Sequence, residues 1–98
     1  MRRKLGFLLG LGIGLPLFAA EKIVSGFIAK GTKWETPVFQ RISDQPGPTV
    51  VIAGGIHGNE PAGAAAAEQI RHWPIPRGRL VVIPRANIPG LADGTRYL

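Results

Sequence analysis

A chain of 98 residues with no cysteine and a formal charge of +6 has room for one small domain, and no disulfide can staple it. Twelve Lys and Arg stand against six Asp and Glu, yet they are scattered and no aromatic–basic interleaving accompanies them, which argues against a nucleic-acid partner. Three of the positive charges, Arg2, Arg3 and Lys4, lie at the very start, so residues 21–98 carry a net charge of only about +3.

Those three cations precede "LGFLLGLGIGLPLFAA", an apolar run of 16 residues that ends in small side chains. A basic start, an apolar stretch with Pro16 near its end and Ala19-Ala20 as the cleavage neighbourhood make the layout of a secretory signal peptide. The expectation is a leader over 1–20, a mature part over 21–98, and export to the periplasm or the extracellular space. The run is short for a membrane span, so contact with the membrane is expected only through export or an uncleaved signal anchor.

"KIVSGFIAKG" (22–31) mixes β-branched and aromatic residues and predicts a strand ending on Gly31, and "TPVFQRIS" (36–43) alternates as a second strand paired with it. "DQPGP" (44–48) is dense in turn formers. "TVVIAGG" (49–55) is continuously apolar, which predicts a strand buried on both faces. Alanines dominate from Pro61 to Trp73, with Pro61 suited to a helix start and Pro74 to its stop, so a helix is expected over 61–73. "GRLVVIPRA" (78–86) is a further buried-strand run, and strand, helix and strand in that order predict a βαβ crossover with a parallel pair. The final "NIPGLADGTRYL" (87–98) reads as loop.

The chemistry-bearing residues cluster where the strand over 49–55 meets the helix. His57 follows the strand by two residues and Glu60 sits at the helix entrance, at the carboxyl end of a parallel strand, where open α/β sheets bind ligands. Imidazole and carboxylate are both zinc ligands, and catalytic zinc commonly takes two His and one carboxylate. Gly54, Gly55 and Gly58 would then leave room for an ion or allow a positive φ. The pair alone is a loose pattern, because Glu near a helix start is favoured by the helix dipole in any case.

The wider stretch narrows the choice. "GGIHGNEPAG" resembles the zinc-binding motif of the succinylglutamate desuccinylase/aspartoacylase family, relatives of the zinc carboxypeptidases, and "LVVIPRANIPGLADGTRYL" is similar to the segment that follows it there, with its Asn-containing loop and Thr-Arg-Tyr tripeptide. The resemblance covers residues 48–98. It implies an α/β fold, the N-terminal part of a zinc-carboxypeptidase-like mixed sheet flanked by helices. It implies Zn2+ as cofactor with His57 and Glu60 as ligands, and Arg96 as the catalytic cation that polarises the scissile carbonyl. Asn87 is expected to shape its loop, His72 to lie away from the site, and Arg85 is ambiguous. The family's Asp-Leu-Asn-Arg segment, third zinc ligand and general-base Glu do not occur in these 98 residues, so the expectation is a truncated and inactive piece.

The activity implied is zinc-dependent hydrolysis of an amide bond in an N-acyl amino acid or a related small amide. The alternatives are an exported zinc carboxypeptidase or amidase acting on peptidoglycan peptides, or an inactive fragment. The partner expected is a small-molecule amide or short peptide substrate, with no nucleic acid; the sequence leaves the oligomeric state open.

Overall fold

The structure is a computed structural model and describes residues 20–97. The expected leader therefore lies outside the described residues, apart from Ala20. Strands β1 (Glu21–Ile28), β2 (Thr36–Ser43), β3 (Thr49–Ala53) and β4 (Arg79–Ile83) and helices α1 (Ala62–Ile70) and α2 (Ile88–Asp93) follow the chain in the order β1-β2-β3-α1-β4-α2. They build one mixed four-stranded sheet in the order β1-β2-β4-β3. β1 and β2 are antiparallel, β2 and β4 are antiparallel, and β3 runs parallel to β4 with α1 crossing between them. The small α/β architecture, the mixed sheet and the βαβ unit agree with the sequence.

Several boundaries differ. β1 ends at Ile28 rather than Gly31, because Ala29 (φ 55°) and Gly31 (φ 84°) both enter the left-handed region and turn the chain toward β2. α1 stops at Ile70 instead of Trp73, although two tight turns, His72 N–H to the Gln69 carbonyl and Trp73 N–H to that of Ile70, carry the chain on to Pro74. Pro61 caps α1 rather than opening it. Residues 88–93 form α2 where a loop was expected. Asn87 caps its start, Pro89 sits in its first turn and Gly94 (φ 69°) closes it in the left-handed conformation, so the short helix is written in its ends.

α1 lies on one face of the sheet. Leu80 and Val82 of β4 point toward it, and their register partners Val50, Ile52 and Phe39 share that face. The core is Ala67, Leu80 and Val82, with Ile52, Ile70 and Ile75 packed around it. Close approach comes from small residues: Ala64 and Ala67 are buried, and a Cβ on Gly54 would overlap the Gly63 carbonyl of α1. Thr36 fixes the start of β2 to the end of β4, since its buried hydroxyl donates to the Arg85 carbonyl at 2.6 Å.

β3 contradicts its expected burial. It occupies the edge of the sheet, and Val50 on one face and Val51 on the other are 49% and 61% exposed. A continuous apolar run marks a strand that two layers can cover, but cover depends on what lies beside the strand, and the described residues leave both faces of β3 largely open. No helix among the described residues is long and apolar enough to cross a membrane.

Candidate metal centre

At the end of β3 the chain leaves the sheet through Gly54 and Gly55. The Gly54 N–H donates to the Ile83 carbonyl at 2.9 Å, and Gly55 (φ 66°) then swings the backbone into a turn. Within it the Glu60 N–H donates to the His57 carbonyl at 3.2 Å, which closes four residues and brings their side chains to one side. Nδ1 of His57 lies 3.3 Å from Oε2 of Glu60. An ion about 2.1 Å from each donor would span that distance at close to the tetrahedral angle, so the pair fits a zinc-sized cation. Among the described residues no group of three or more His, Cys, Asp or Glu gathers where it could hold a metal ion; the pair stands without a third.

Arg96 reaches the same point from 36 residues later in the chain, its Nη1 donating to Oε2 of Glu60 at 2.9 Å. α2 and its left-handed cap deliver it: after Gly94 the Thr95 N–H returns to the Gly90 carbonyl at 3.1 Å, and the next residue faces the turn. Tyr97 completes the group. Its hydroxyl accepts from Nε of Arg96 at 3.2 Å, and its ring meets that of His57 edge to face, 5.8 Å between centroids.

The structure thus brings together the three residues singled out by sequence, His57, Glu60 and Arg96. His72 is elsewhere, 3.9 Å from Glu68 near the far end of α1. Arg85 lines an open cleft of about 590 Å3 beside the turn, with Gly58, Asn59 and Leu91, whereas His57, Glu60 and Arg96 are not on its wall. Of Gly54, Gly55 and Gly58, Gly55 takes the positive φ that was one of the two expectations, whereas a Cβ on Gly58 would strike the backbone of Gly90 and Thr95. Gly58 makes room for α2, not for an ion. Sequence reasoning gives Tyr97 no role; Asn87 shapes its loop as expected, and its side chain touches both the turn and α2.

Sheet and site together define an α/β protein whose polar cluster sits past the carboxyl end of a parallel strand, the usual ligand position in such sheets. The profile of the succinylglutamate desuccinylase/aspartoacylase catalytic domain matches residues 46–98, more than half of the sequence. The chain belongs to the succinylglutamate desuccinylase/aspartoacylase family.

Solved structures agree. An aspartoacylase family protein from Mesorhizobium loti is 28% identical with a TM-score of 0.63, over 80% of this chain and 27% of its own. The ectoine utilization protein EutE (DoeB) from Ruegeria pomeroyi, in a product-bound structure, is 26% identical with a TM-score of 0.61, over 84% of this chain and 28% of its own. A succinylglutamate desuccinylase/aspartoacylase from Rhodobacter sphaeroides, at 22% identity, shares the fold, with a TM-score of 0.62 over 86% of this chain and 29% of its own. The chain spans less than a third of the length of each. No curated protein matches it significantly.

Proposed function

We propose that this chain is the N-terminal part of a zinc-dependent hydrolase that cleaves the amide bond of an N-acyl amino acid or a related small amide. The observation that carries the proposal is the convergence of His57 Nδ1, Glu60 Oε2 and the Arg96 guanidinium on one point. His57 and Glu60 would hold the metal. The chemistry that zinc supplies when bound is polarisation of a carbonyl and activation of water near neutral pH. Arg96 sets a fixed positive charge beside the centre, where it can stabilise the negative charge that grows on the carbonyl oxygen as it is attacked. Tyr97 orients Arg96 through its hydroxyl and His57 through its ring. The third protein ligand, the general base and the grip on the substrate carboxylate are assigned to chain beyond residues 20–97.

The protein is further proposed to be exported, with residues 1–20 as the leader. β1, the first strand among the described residues, begins at Glu21, directly after the proposed cleavage point, where its carboxylate pairs with Arg41 at 2.7 Å. An extracytoplasmic setting favours the second reading, an amidase or carboxypeptidase on peptidoglycan peptides.

Calorimetric zinc titration of the full-length protein tests the metal assignment. Tight binding is expected for the wild type and its loss for His57→Ala and Glu60→Ala; unchanged affinity in both variants sinks the proposal. Hydrolysis assays with N-acyl amino acids and with wall peptides then separate the two substrate classes.

A further inference from the structure

We infer that Asn87 is a positioning residue that holds the His57–Glu60 turn at a fixed distance from the Arg96 segment; this rests on the zinc centre proposed above. Three consecutive carbonyls lead into the turn, those of Gly54, Gly55 and Ile56. The first accepts from the Ala86 N–H at 2.9 Å and the second from the Asn87 N–H at 3.0 Å. The third, immediately before His57, accepts from Nδ2 of Asn87 at 3.2 Å. The side chain therefore continues the backbone ladder one step further than the backbone can, to the residue adjoining the metal ligand.

The other end of the same amide serves α2. Oδ1 of Asn87 accepts from the Gly90 N–H at 3.1 Å, capping the helix that leads through Gly94 and Thr95 to Arg96. Gly90 is pressed between the two parts: a Cβ on it would collide with the Asn87 amide, and one on Gly58 would collide with Gly90. Turn, amide and helix thus form one stack.

The residue type separates this role from capping. A cap needs only an oxygen, and Asp or Ser serves there about as well as Asn. Only the amide carries two separate polar atoms, Oδ1 for the Gly90 N–H and the donor Nδ2 that reaches the Ile56 carbonyl. Asn87→Ser keeps one shorter hydroxyl for the cap and has no second atom to reach Ile56, Asn87→Asp keeps the acceptor and has no donor, and Asn87→Ala loses both contacts.

The experiment compares these three variants of the full-length protein with the wild type, His57→Ala and Glu60→Ala. The readouts are melting temperature, zinc affinity by chelator competition, and the visible absorption of the cobalt-substituted protein, which reports ligand geometry. For Asn87→Ser the expected result is a melting temperature within a few degrees of wild type, zinc affinity down on the order of tenfold, as for other outer partners of metal ligands, and an altered cobalt band. Asn87→Asp should behave alike, while Asn87→Ala should also melt lower. Wild-type zinc affinity and cobalt absorption in Asn87→Ser and Asn87→Asp would overturn the inference. So would zinc losses that merely track melting temperature across the three variants, which would reduce Asn87 to a cap. If His57→Ala and Glu60→Ala keep wild-type affinity, the zinc centre itself fails; if they lose zinc and Asn87→Ser does not, only the role of Asn87 falls.

Discussion

Arg96 donates to Oε2 of Glu60 at 2.9 Å, and this is the same oxygen that faces Nδ1 of His57. One carboxylate oxygen thus stands between the Arg96 guanidinium and the His57 imidazole. A metal held by His57 and Glu60 would share that oxygen with Arg96, and the two positive charges would repel each other across it.

Arg96→Ala in the full-length protein should therefore leave zinc affinity at or above the wild-type value while kcat falls on the order of 100- to 1000-fold, the usual effect of losing a transition-state contact. Zinc titration and steady-state kinetics on one preparation check both halves. A loss of zinc affinity would make Arg96 a support for the ligands instead.

Gly58→Ala should destabilise the protein by about 1–3 kcal/mol, since the added methyl meets backbone of Gly90 and Thr95 and no side chain can move aside. Urea unfolding measures this. An unchanged midpoint would mean that turn and α2 are not in contact, and would remove the physical link between His57 and Arg96.

Val82→Ala and Val51→Ala delete the same two methyl groups in opposite settings. Val82 is 1% exposed and its truncation should cost about 2–3 kcal/mol from lost transfer energy and the cavity left behind. Val51, 61% exposed, should cost less than about 0.5 kcal/mol in the 98-residue chain. Denaturation of both variants decides, and a large loss at Val51 would show that something packs on the edge strand.

Mass spectrometry of the exported protein should find an N-terminus near Glu21. An intact Met1 on membrane-associated protein would identify an uncleaved anchor.

The sheet was largely legible in the sequence because β-branched runs fold where they stand: 36–43 was read to the residue, and the runs starting at 49 and 79 pair in parallel as expected. What escaped was set by distant neighbours. The apolar pattern of β3 could not say that it would lie at an edge, since sheet order is decided by β2 crossing to β4. α2 was missed because six residues containing a Pro and a Gly carry no helical periodicity, although Asn87 and Gly94 bracket them with cap chemistry. The closeness of His57 and Glu60 follows from a turn of four residues and was local. Arg96 was placed only through resemblance, and the glycine spacing gave no hint that Gly58 answers to Gly90 and Thr95, more than 30 residues away.

The open flank of β3 bears on how the segment behaves in a test tube. Among the described residues the backbone groups from Thr49 to Ala53 pair with β4 on one side only, and valines stand out on both faces. Such an edge invites another strand to add to it. Produced by itself, the 98-residue chain should self-associate with rising concentration, which light scattering would register. A charged substitution at Val51 should restore solubility without disturbing His57, Glu60 or Arg96.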